Sequence, residues 1–117
     1  MRPVLLFIAL FAVADLQAAS VFYSTKILRV SQSPGTNGGC LVRLEVGPAT
    51  QGLADCNDRF VSFDCDGELG TSKSAANSMF NSALASMFIA AGNPSLLITD
   101  SQKFGSICVA KQIDVRP

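Results

Sequence analysis

Four cysteines, Cys40, Cys56, Cys65 and Cys108, constrain this chain more than any other feature. They follow a leader, MRPVLLFIALFAVADLQAAS, with the layout of a secretory signal: Arg2, an apolar run from Val4 to Ala14, then small residues at Ala18-Ala19-Ser20. That run is too short to span a bilayer, which takes about 20 residues. The leader predicts a cleaved signal over 1–20, a single domain over 21–117 and a secreted or periplasmic location. An even cysteine count behind a signal, in an oxidising compartment, predicts two disulfides. A metal site would want C-x-x-C spacing or histidine, and the chain has neither, so no metal or other cofactor is expected.

The mature part is just under 100 residues. A chain of that size buries roughly 60–70% of its unfolded surface, so disulfides supplement a modest core. Without Arg2 and Asp15, the nine Lys/Arg and nine Asp/Glu become eight and eight. The basic residues are scattered rather than clustered, which argues against a nucleic-acid partner.

Val21–Ser31 is rich in β-branched and aromatic residues and predicts a strand, followed by a turn cluster over Ser33–Gly39. Cys40–Val46 alternates, with Cys40, Val42, Leu44 and Val46 on one face. After a loop over Gly47–Asp58, Arg59–Cys65 reads as a third strand with Val61, Phe63 and Cys65 sharing a face. Ser95–Asp100 and Ser106–Val115 read as the fourth and fifth, the last with Ile107, Val109, Ile113 and Val115 alternating. If the second and third strands form a hairpin, Cys40 and Cys65 share a face within bridging reach, and Cys56 is left for Cys108.

No charged residue occurs between Ser74 and Thr99. Within that run, Met79, Phe80, Ala83, Leu84, Met87 and Phe88 gather on one helical face, with Ser72 or Ser74 as N-cap and Gly92 and Pro94 as stop signals. Ser74, Ser78, Asn81, Ser82 and Ser86 fall on the other side, so the segment is amphipathic rather than membrane-spanning. The Met/Phe stripe is expected to be core.

The order β-β-β-α-β-β is that of the OB-fold, a five-stranded barrel with a helix at one end. A single sheet with one helix packed on it has the same order. In an exported, cysteine-bearing chain of this length, the order resembles the B subunits of AB5 toxins, most closely the subtilase-cytotoxin and pertussis-like branch. Members of that branch carry a cysteine pair spaced about as Cys40 and Cys56, then a strand, then a helix rich in Asn, Ala and aromatics, here NSMFNSALASMF. FVSFDC, SKSAA and GSICVAKQIDV also look like a group of small secreted bacterial proteins of unknown function. The toxin resemblance implies a Cys40–Cys56 bond, leaving Cys65–Cys108. It also implies a ring-shaped pentamer that binds cell-surface glycans and carries an A-type catalytic subunit. The sugar-contacting serine of that branch follows an aromatic residue near the start of the first strand, which places Tyr23 and Ser24 in the ligand site. The acidic residue a few positions earlier in that family is replaced here by Ser20 and Val21.

Chemistry is thinly provided for. Without histidine there is no His-based triad, and oxidised cysteines leave no thiolate nucleophile. Asp64, Asp66 and Glu68 crowd three carboxylates together, but the later ligands of a calcium loop are missing and an Asp-Gly turn explains them. The expectation is a binding domain and not an enzyme. The alternative is an exported structural or interaction protein that binds no glycan. The helix adds a further expectation. Its uncharged small face, with Ser78, Ser82, Ala85 and an Ile89 among them, is suited to close packing against the same helix of neighbouring copies around a ring axis.

Overall fold

The computed structural model describes residues 19–88 and 92–116. Residues 1–18 of the leader and Ile89 lie outside the described residues, while Ser20, expected in the leader, opens the first strand. Within the described residues the chain forms one helix and six strands: β1 (Ser20–Ser24), β2 (Ile27–Gln32), β3 (Cys40–Leu44), β4 (Phe60–Ser62), α1 (Lys73–Ser86), β5 (Ser95–Phe104) and β6 (Ile107–Asp114). The strands make a single mixed sheet in the order β1-β5-β6-β4-β3-β2, in which only β4 and β6 run parallel. The class is α+β. The sheet is not closed by strand pairing, so the architecture shown is a six-stranded sheet with one helix.

The sixth strand arises because the expected first strand is broken at Thr25-Lys26. Thr25 is buried, and its Oγ1 accepts the Val46 amide at 2.9 Å while its own amide donates to the Pro94 carbonyl at 3.1 Å. There the chain leaves β5 and joins β3, and the Glu45 amide donates to the Lys26 carbonyl at 2.9 Å. One continuous run of residues therefore supplies both edges of the sheet.

The core is built from the inward faces of the strands. Val42 and Leu44 of β3, Val61 of β4 with Phe63 just beyond it, and Leu96 and Ile98 of β5 are all buried. In β6 the alternation differs from the sequence expectation. Cys108 and Ala110 join the core cluster, Ile113 packs against it as expected, and Val109 is buried as expected but lies outside that cluster, because the ladder slips between Leu97↔Gln112 and Ile98↔Ala110. Lys111 is the extra residue, and a bulge of one residue reverses which side chains face inward.

Disulfides join Cys40 to Cys65 and Cys56 to Cys108, with Cα separations of 5.7 and 5.4 Å. Cys65 lies past the last β3–β4 pair, Leu41↔Ser62. Between them Asp64 takes a left-handed φ of 58°, which Asp tolerates better than most residues, and turns the chain back toward Cys40.

Helix α1 opens on Ser72, whose Oγ accepts the Ala75 amide at 3.1 Å. It is shorter than the apolar run, ending at Ser86, and it is turned differently from the sequence expectation. Ala76, Phe80, Ala83 and Ser86 are buried, and Met79 packs against the core from its edge. The small alanines let the backbone approach the sheet, and Phe80 fills the remaining space edge-on to Phe63, with ring centroids 6.4 Å apart. Leu84, Met87 and Phe88, expected in the core, are exposed at 40, 39 and 80%. The helix rests on β2 and β6, and its last turn carries these side chains outward. None of the described helices is long and apolar enough to cross a membrane.

Candidate functional site

Alternation along β1 sorts its side chains into two sets. Val21 and Tyr23 turn toward the core, while Ser20, Phe22 and Ser24 face out. Tyr23 packs against the core, and its hydroxyl donates to the Val46 carbonyl at 2.8 Å. Burial pushes its pKa from 10.0 to about 12, since the charged phenolate is the form that loses solvation. Tyr23 therefore acts here as a tie between β1 and the segment after β3. Ser24 is exposed, with its Oγ 2.6 Å from that of Ser95.

On the outer face of β1, β5 and β6 an exposed aromatic ring lies among polar groups. Phe22 is 49% exposed. It stands opposite Leu97, which stands opposite Gln112. One rung along, Ser24 faces Ser95, and Ser95 faces Asp114. The Gln112 side-chain amide donates to Asp114 Oδ1 at 3.2 Å. The strip thus offers two hydroxyls, a primary amide and a carboxylate beside an apolar surface. Such a surface can stack against an apolar ligand face and exchange hydrogen bonds with hydroxyls around it. Sequence reading reached Ser24 but not Phe22, Ser95, Gln112 or Asp114. Period-two alternation could have paired Phe22 with Ser24, but Phe22-Tyr23 places an aromatic on each face.

Two of the three carboxylates after β4, Asp64 and Asp66, are structural. Asp64 is buried, and its carboxylate accepts the amides of Leu69 and Thr71 through Oδ2, each at 3.1 Å. Asp66 Oδ2 accepts the Gly35 amide at 2.8 Å and ties the two turns together. No group of three or more potential metal ligands occurs among the described residues.

On the helix, Ser78 and Ala85 are exposed and Ser82 is partly so, while Ser86, from the same polar set, is buried with its Oγ donating to the Ala83 carbonyl at 2.7 Å. None of the family models, curated proteins or solved structures compared with the chain matches it.

Proposed function

We propose that this chain is an exported binding domain that recognises carbohydrate through the outer face of β1, β5 and β6, with Phe22 as its stacking surface. The observation that carries the reading is the exposed Phe22 ring set among Ser24, Ser95, Gln112 and Asp114 on one face of the sheet. A sugar presents C–H faces to a ring and hydroxyls to such groups. The two disulfides suit an extracellular or periplasmic setting. Absent histidine and paired cysteines favour binding over catalysis.

The reading extends to the fold. Counted as two halves of one bent strand, β1 and β2 make the strand order return to its own start. With the helix between β4 and β5, that is the order expected of an OB-fold, and it supports a relation to the toxin B subunits. A glycan array on the mature protein tests the function. Binding to a defined glycan class, lost in Phe22→Ala but kept in Tyr23→Phe, is the expected result. A blank array at high protein concentration overturns it.

A second reading is favoured by the exposed Leu84, Met87 and Phe88 at the end of α1. Clustered apolar groups of this kind mark contact surfaces. On this reading the helix packs against other copies in a ring, through Ser78, Ser82 and Ala85 beside these residues, and the ring carries a catalytic partner chain. Light scattering after size exclusion gives the mass directly. A strict monomer, unchanged in Ser82→Glu, removes this reading.

A further inference from the structure

Ala19, the residue before β1, is held at both its backbone groups by Asp100 of β5. The Asp100 amide donates to the Ala19 carbonyl at 3.0 Å, which carries the β1–β5 ladder one rung past Ser20↔Thr99. The Thr99 hydroxyl donates to the same carbonyl at 3.3 Å. In an antiparallel sheet, residues joined in this way exchange two bonds. Here the second runs from the Ala19 amide to the Asp100 side chain, with Oδ1 at 2.7 Å.

The sequence leaves the bond at which the leader is removed open, since Ala18, Ala19 and Ser20 are all small. The fold separates the choices. Cleavage after Ser20 discards the rung Ser20↔Thr99 together with everything that Asp100 holds. Cleavage after Ala19 discards both bonds to Asp100. Cleavage after Ala18 keeps all of these contacts and changes one of them. The nitrogen beside Asp100 Oδ1 is then a terminal amine, which is protonated at neutral pH because its ordinary pKa is about 8. A neutral N–H donor becomes a cation facing a carboxylate, and a hydrogen bond between two charged groups is the stronger kind.

We propose that the leader is removed between Ala18 and Ala19, and that the α-ammonium this creates is anchored on the Asp100 carboxylate. The inference rests on reading the chain as exported. The step is a hydrolysis by a leader peptidase. Water gives its hydroxyl to the Ala18 carbonyl carbon, the C–N bond breaks, and the Ala19 nitrogen takes the remaining proton. The new acid then releases a proton and the new amine binds one, so the leader departs as a carboxylate and the mature chain begins as an ammonium. Before cleavage the same contact is a bond from a neutral amide. Removal of the leader therefore strengthens the hold on the edge strand that carries Phe22.

Intact mass and N-terminal sequencing of the exported protein locate the bond, and Ala19 is the expected first residue. The anchor is tested on the folded, disulfide-bonded mature chain, by comparing its free amine with the N-acetylated form, which keeps one N–H and loses the charge. Acetylation is expected to raise the equilibrium constant for unfolding by about two- to fivefold, as suits an exposed ion pair. In Asp100→Asn, which keeps an oxygen acceptor, acetylation is expected to change that constant little. High salt is expected to shrink the difference between the two forms of the unsubstituted chain. Any other first residue on an exported protein overturns the proposal. So does an acetylation effect that is absent, or that is equally large in Asp100→Asn. A chain that keeps its leader overturns the exported reading as well.

Discussion

The hydroxyl of Tyr23 donates to the carbonyl of Val46 at 2.8 Å, and with that bond β1, at one edge of the sheet, reaches the segment that follows β3 near the other edge. The chain contains one tyrosine and no tryptophan, so phenolate absorbance on alkaline titration reports this residue alone. The expected apparent pKa is about 12 in the folded protein, against 10.0 once the chain is unfolded. Because the folded value is the higher, the contribution to stability is complete below the unfolded value and disappears as pH rises toward about 12. Stability measured across that window should fall with pH, and in Tyr23→Phe this component of the fall should vanish. Removing the hydroxyl should itself cost about 1 kcal/mol.

The Cys56–Cys108 bridge spans 52 residues and joins the loop before β4 to β6, beside the one parallel pairing, Ser62↔Val109. A loop of that length gives a loop-entropy stabilisation of about 4 kcal/mol. Cys56→Ala/Cys108→Ala should lose close to that amount in chemical denaturation. Cys40→Ala/Cys65→Ala, closing 25 residues, should lose about 3.5 kcal/mol. Equal and small losses would mean that the unfolded chain is already compact around these loops.

The elements themselves were legible in the sequence, because β-branched alternation and Gly/Pro/Asn clusters mark strands and turns locally. What was not legible depends on neighbours. The break at Thr25-Lys26 has no Gly or Pro to announce it, since it is made by the Thr25 hydroxyl taking the Val46 amide. The bulge at Lys111 reverses the faces of β6 without any residue that demands one. On α1 the spacing predicts Phe80 and Ala83 on the core face, as found, but it also puts Leu84 and Phe88 there, whereas the sheet surface accepts the small Ala76 and leaves those two out. Arg29 and Arg43 are 14 positions apart in sequence and become neighbours only through the β2–β3 register. Their juxtaposition was therefore invisible in a chain whose basic residues look scattered.

Asp64 is a second point where one side chain organises a loop. Its carboxylate accepts the Leu69 and Thr71 amides, and its own backbone is left-handed. Asp64→Ala removes the acceptors and places alanine at a φ it disfavours, so a loss of about 2–4 kcal/mol is expected. Asp64→Asn keeps one oxygen acceptor and the tolerated φ and should lose clearly less. Thermal melts of the two variants in parallel would check this, and equal losses would show that the ionised carboxylate, which both variants lack, is what matters and not the left-handed turn.

Gly47 and Gly52 bracket the short 3-10 turn Pro48–Gln51, and they should respond to alanine for different reasons. A Cβ on Gly47 would overlap the carbonyl of Asp58, so Gly47→Ala forces backbone movement at an expected cost of about 1–3 kcal/mol. Gly52 has open space around it but a φ of 98°, so its cost is conformational only, about 1–2 kcal/mol. Hydrogen exchange should separate them. Gly47→Ala should loosen amides after Asp58 as well as those of the turn, whereas Gly52→Ala should affect the turn alone.

Phe80 and Phe88 stand eight positions apart, one inside the described helix and one just past its end, and their environments are opposite. Phe80 is 6% exposed and meets Phe63 edge-on, while Phe88 is 80% exposed. Truncating a buried phenylalanine removes its transfer free energy and leaves a cavity, so Phe80→Ala should cost about 3–5 kcal/mol. Phe88→Ser removes no buried contact within the monomer and should change stability by no more than about 0.5 kcal/mol. The pair therefore measures the rotation of α1 directly. Had the Met/Phe/Leu stripe faced the core, both substitutions would be severe. If Phe88→Ser proves costly at high protein concentration and harmless at low, the exposed end of the helix is covered by another copy of the chain, and the stability difference reports that contact. If it is costly at every concentration, the helix is seated on the sheet by its large apolar stripe and the small alanine face is the outer one.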